Sequence, residues 1–254
     1  MQTMRKQEKD SVPATHPISA NWREQAQQSS TGLVDEVIAH LRDHVAREQL
    51  KPGSKLPSET RIATDLGISR PVVREAMRSL ASSGLIELAA GKRAMVVALD
   101  GGMVSQVIEN AMLIGQADVR DVLELRRGLE IGMVALAAER RTDTTVAELR
   151  AISAEMADSI GSARRYSTLD MQLHLALATA SGNPLYTILI EAFRQVFEAS
   201  MLTGIARWSA TPELAKVQEL HDAIVQAVDD GDPAAAADAM ARHFDEAIAA
   251  IVAG

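Results

Sequence analysis

Residues 56–84 read LPSETRIATDLGISRPVVREAMRSLASSG, and the apolar spacing within them settles the first domain. Ser58 can cap a helix opening at Glu59, and Gly67 ends it. Ser69 can cap a second helix whose first turn holds Pro71, where a missing N–H does no harm. Over 70–83, Val73, Ala76, Met77 and Leu80 share one stripe, and Arg70, Arg74 and Arg78 form another centred about 100° away. The segment is a helix, a tight turn and a helix able to pack on a small domain while presenting arginines outward. Upstream, Leu33, Val34, Val37, Ile38, Leu41 and Val45 recur at helix spacing as far as Pro52-Gly53. Downstream, LIEL (85–88) and AMVVAL (94–99) flank AAGKR, which reads as a β-hairpin with a basic tip.

The chain has 254 residues, 47% of them hydrophobic, which suits two domains with real cores. No apolar run approaches the roughly 20 residues that span a bilayer, and residues 1–20 lack the apolar core of a secretory signal. A cytoplasmic protein without membrane partners is expected. Zero cysteines exclude disulfides, thiolate metal sites and cysteine nucleophiles. The net charge of −8 hides a division: 14 Lys+Arg against 11 Asp+Glu gives +3 up to Leu99, while 12 against 23 gives −11 from Asp100 onward. The halves face different partners. The polar residues 1–30 read as a flexible tail, leaving 31–99 as the first domain and 100–254 as the second.

From Met103 the pattern is helical throughout, with segments at 103–114, 118–140, 144–160, 164–180, 184–203, 212–229 and 233–252 broken mostly at glycines, Gly204 among them. Asp170 and His174 stand one turn apart on a leucine-rich face. His221 centres the stripe of Leu214, Val217, Ile224, Val225 and Val228, and His243 is flanked by Ala236, Ala239, Met240 and Ala247. The last two helices join at Gly231-Asp232-Pro233, so both histidines lie about 15 Å from the turn, level with each other. Asp170, His174, His221 and His243 can thus converge from three helices. Three imidazoles and a carboxylate suit a divalent ion, Zn²⁺ foremost, with Ni²⁺ and Mn²⁺ as alternatives, although a single inward histidine is more often a hydrogen-bonded core residue. His16, His40 and His44 share no such pattern. Arg126 lies on the stripe of Val119, Val122, Leu129 and Met133, a place that demands either an anionic ligand or a neighbouring acidic residue.

Residues 56–97, with LPSE, LGISR, VVREAM, SSGLI and a glycine-containing wing in that order, resemble the winged helix-turn-helix of the GntR family of bacterial transcription regulators. The resemblance implies that Arg70 and Arg74 read DNA from the recognition helix and that Gly91 and Lys92 form a wing tip entering the minor groove. Thr60 stands where the family commonly has arginine, and Ala94 where it has a second wing glycine. DVLELRRGLE with ALAAERRT, DMQLHLALATASGN and HDAIVQAVDDGDPAAAADAMARH resemble the FCD domain, the all-helical effector domain of the family's FadR branch. This resemblance implies a metal held by Asp170, His174, His221 and His243, and a small carboxylate effector that meets both the metal and Arg126.

The fold expected is therefore mainly α, a winged helix-turn-helix followed by an antiparallel all-α bundle. The function expected is a homodimeric, metabolite-responsive regulator of a palindromic operator, with repression the commoner arrangement in the family. A metal-dependent hydrolase is the rival from another class, and a regulator with a purely structural metal is a third reading. Against the hydrolase, no HExxH or comparable acid/base motif accompanies the histidines, and catalysis gives no reason for the Arg70/Arg74 helix.

Overall fold

A computed structural model describes residues 22–202 and 211–252, in two compact units that meet at Ala98 and Leu99. The first holds α1 (Trp22–Arg47), α2 (Glu59–Leu66), α3 (Arg70–Ser82), β1 (Ile86–Glu87) and β2 (Met95–Val96). Helix α1 begins inside the stretch that reads as tail. After Trp22 its opening residues REQAQQ are strong helix formers, which need no apolar period to make a helix. Residues 1–21, including His16, lie outside the described residues, as does Gly204.

Ser58 Oγ accepts from Arg61 N at 3.2 Å, capping α2, and Gly67 closes that helix in the left-handed region at φ 66°. Ser69 occupies the cap position of α3 but makes no side-chain capping bond. Pro71 removes one of the N–H groups such a side chain would meet. Val37 and Leu41 from α1, Ile62 from α2, and Val73, Ala76, Met77 and Leu80 from α3 form one buried core with Ile86 and Val96. Burying a leucine such as Leu80 contributes about 1.5–3 kcal/mol, which holds α3 by one face and leaves its arginines outside. The strands pair antiparallel, Ile86 opposite Val96 and Glu87 opposite Met95. Ala94 is buried in the same core, so its methyl group has a packing role at the position where the family has glycine.

The second unit is all helix: α4 (Gly102–Leu113), α5 (Val119–Arg140), α6 (Asp143–Asp158), α7 (Ala163–Ala180), α8 (Pro184–Leu202), α9 (Thr211–Asp230) and α10 (Pro233–Val252). Each differs from its expected bounds by two residues at most. Asp118 and Asp121 form a capping box on α5, and Thr142 and Thr145 form one on α6. Helix α10 packs on α5 and α9, α7 on α5, α6 and α8, and α4 on α8. Gly101 enters α4 at φ 82°, and a Cβ there would run onto the Ile188 carbonyl and lie 2.8 Å from Ala192 N, both on α8. The core includes Met133, Leu149, Met156, Leu173, Leu177, Phe193, Ile224, Val228, Met240 and Phe244, and it encloses one group of polar side chains.

Candidate metal centre

The four side chains at the centre of that polar group come from three helices. Asp170 and His174 lie one turn apart on α7, His221 on α9 and His243 on α10, and one ligand atom from each lies within 4.8 Å of all the others. The α9–α10 hairpin brings the His221 and His243 rings to 4.4 Å between centroids, and His174 lies 5.9 and 5.3 Å from them. All three histidines are buried, and Asp170 is partly buried.

Residues behind these rings orient them. Glu130 on α5 is fully buried; its Oε2 meets His174 Nδ1, and its Oε1 accepts from Arg126 Nε at 2.7 Å. A carboxylate only accepts, so His174 turns a protonated Nδ1 to Glu130, and its Nε2 lies 3.9 Å from Asp170 Oδ1. Behind His221, Nδ1 lies 3.1 Å from the Tyr166 hydroxyl. His221 Nε2 is 2.9 Å from Asp170 Oδ1 but off the line of an N–H bond. His174 Nε2, His221 Nε2 and His243 Nδ1 are buried nitrogens with no hydrogen-bond partner. Such atoms are costly in a core unless something accepts their lone pairs.

Burial would raise Asp170, but the contact with His221 and then the His174, His221 and His243 imidazoles outweigh it and hold the carboxyl well below the usual carboxylate range. Burial first, then His221 and His174, push His243 well below its ordinary value, so its ring is neutral. Burial opposes the ionised form of Glu130 as well, yet Arg126 and His174 keep it below the ordinary glutamate value. A carboxylate facing imidazole nitrogens that have no hydrogen-bond partner is a donor set for a borderline-hard divalent cation.

Arg126 is buried beside this group, its guanidinium carbon 5.2 Å from the centroid of Phe244 and 6.0 Å from that of Phe193. Its acidic neighbour is Glu130. In the first unit, Arg70, Arg74 and Arg78 are exposed on α3. Arg74 Nη2 donates to Glu59 Oε2 at 2.8 Å, and this bond, against slight burial, lowers the pKa of Glu59. Gly91 (φ 70°) and Lys92 are exposed between β1 and β2. Arg93 ties the base of that hairpin down, its Nε donating to Leu56 O at 2.8 Å.

With this geometry in view, residues 33–96 match the bacterial regulatory proteins of the gntR family, and residues 121–246 match the FCD domain. The chain belongs to the GntR family. It is similar to the HTH-type transcriptional regulator LutR of Bacillus subtilis, 33% identical over 198 residues, which is 77% of this chain and 90% of that one. It is 26% identical over 226 residues to the HTH-type transcriptional repressor NanR of Cronobacter sakazakii, covering 85% of this chain and 84% of that one. The solved structure of a GntR protein from Streptococcus agalactiae superposes with a TM-score of 0.66 at 25% identity, covering 85% of this chain and 99% of that chain. GntR proteins are DNA-binding transcription regulators, and the hydrolase reading falls with that membership. Among the described residues no helix is long and apolar enough to cross a membrane.

The sequence reading missed Glu130, Tyr166 and Gln218, the residues behind the ligand set. Two of them carried a usable signal: Glu130 lies four residues after Arg126 on one helix face, and Tyr166 lies four before Asp170.

Proposed function

We propose that this GntR regulator holds one divalent ion per chain on Asp170, His174, His221 and His243, and that a small carboxylate bound at that ion and Arg126 controls operator affinity. The observation that carries the reading is the group of four ligand atoms within 4.8 Å, three of its ring nitrogens buried without a hydrogen bond. The ion, when bound, supplies Lewis-acidic positions for carboxylate oxygens. Asp170 lowers the local positive charge, Glu130 presents His174 with its Nε2 bare, and Arg126 brings a second positive group to the anion. Arg70 and Arg74 on α3 meet base edges or phosphates, and Gly91 and Lys92 extend the wing toward the minor groove. A homodimer in the cytoplasm reads a palindromic operator. Repression relieved by the effector is the mode proposed, in keeping with the repressor title of its relative NanR.

One observation favours a second reading, a purely structural ion without effector: Arg126 already has the carboxylate of Glu130 at 2.7 Å. Arg126→Ala separates the two. If the anion is anchored there, the variant, though less stable for the unpaired charge it leaves on Glu130, keeps operator binding and the ion but loses the response of operator affinity to carboxylates found in a thermal-shift screen. If it responds as the parent does, Arg126 belongs only to the core.

A further inference from the structure

The hydrogen bonds behind His221 run in one direction. Ser153 on α6 presents its backbone carbonyl, and Asp222 on α9 a carboxylate oxygen, to the side-chain amide of Gln218 at 3.2 and 2.8 Å. Both groups only accept, so the amide nitrogen faces them and the amide oxygen faces the other way. The Ser153 hydroxyl adds to the lock: it donates to Asp222 Oδ1 at 2.6 Å and therefore accepts from Gln218 Nε2 at 3.0 Å. Reversing the amide would set its oxygen against three acceptors at once.

The fixed amide oxygen lies 3.1 Å from the Tyr166 hydroxyl, which has one proton to give. With that proton directed to Gln218 Oε1, the phenol oxygen is left to accept, and the atom facing it is His221 Nδ1 at 3.1 Å. His221 is then protonated on Nδ1. Its Nε2 is bare and faces Asp170 Oδ1 at 2.9 Å, an opposition of lone pairs that a cation between them would relieve.

We propose that Gln218 and Tyr166 are positioning residues that fix the tautomer of His221, so that its Nε2 is a ready ligand in the folded chain before any ion arrives. This rests on the metal-ligand reading of His221. Glu130 does the same for His174 by direct contact; the second histidine is set from α6, three side chains away. Preorganisation of this kind raises affinity because the chain has no proton to shift when the ion binds.

The test uses the full chain with ¹⁵N-labelled histidine, stripped of metal by a chelator, with the His221 signals assigned by their loss in His221→Gln. Long-range ¹H–¹⁵N correlation distinguishes a protonated ring nitrogen from a bare one. The parent is expected to carry the His221 proton on Nδ1. Gln218→Met and Tyr166→Phe, each close in size to the residue replaced, should move it toward Nε2 and lower Zn²⁺ affinity, read by competition with a chelating dye, by about 10–100-fold. A parent protonated on Nε2, or variants that keep the parental tautomer, would overturn the proposal whatever zinc does. Should the tautomers of the parent and variants be as expected while the parent binds no zinc, the relay stands and the metal-ligand reading fails. The parent spectrum decides the first point alone, so a variant that does not fold cannot shield the proposal.

Discussion

Arg74 and Arg126 each hold a glutamate, at 2.8 and 2.7 Å, and the two pairs could hardly differ more in setting. The side chains of Arg74 and Glu59 are 46% and 31% exposed; those of Arg126 and Glu130 are 4% and 0% exposed. Water screens the first pair and supplies substitutes for either partner, so opening it costs little and a phosphate or base edge can take the carboxylate's place. The second pair has no water to fall back on, and removing one partner leaves a charge in the core. The arginine whose partner can be exchanged sits on a surface helix, and the one whose partner cannot is built into a core with its counter-charge.

The sharpest test of that contrast removes the glutamates. Glu130→Ala should lower the stability of the second unit by about 3–5 kcal/mol, whereas Glu59→Ala should barely move the urea midpoint. Equal losses would break the comparison. Next in size is the effect of the ion: Zn²⁺ at about 100 times its dissociation constant should add about 2.7 kcal/mol to the parent. That gain should vanish in His243→Ala and on chelation, with elemental analysis as the parallel measurement.

On the exposed side, Arg70→Ala or Arg74→Ala should weaken operator binding about tenfold or more while melting temperature and metal content stay at parental values. Gel-shift titration at fixed salt reads this, and unchanged affinity in both variants would remove α3 from the DNA interface. The smallest effect is in pH. Glu59 has a lowered folded pKa, so its contribution is fully present above the unfolded glutamate value of about 4.3 and is lost as pH falls through the lower folded value. The small difference in melting temperature between parent and Glu59→Gln should therefore hold from neutral pH to about 5, shrink as pH falls below about 4.3, and disappear once the lower folded value is passed.

What the sequence made legible followed from periodicity. The helices of the second unit stand within two residues of their expected bounds because apolar stripes and glycine breaks mark both faces and ends. His221 and His243 could be levelled because the hairpin turn at Gly231-Asp232-Pro233 sets a common origin for counting. The start of α1 was not legible by that route, since REQAQQ is helical by propensity without an apolar stripe. Glu130 escaped for a different reason: an arginine followed at four residues by a glutamate is the ordinary dress of a solvated helix, and only burial from α7 and α10 makes it a core pair. The relay through Gln218 joins α6, α7 and α9, so no local pattern could reveal it.

Gly101 has a mechanical consequence. The first unit holds the chain as far as Val97, whose N–H donates to Leu85 O at 3.2 Å, and the second takes hold at Gly101, where even a methyl group would collide with α8. Between these anchors lie Ala98, Leu99 and Asp100, three residues with about six soft backbone torsions among them. The connection is thus only three residues long, and any side chain at position 101 would strain the entry to α4 against α8.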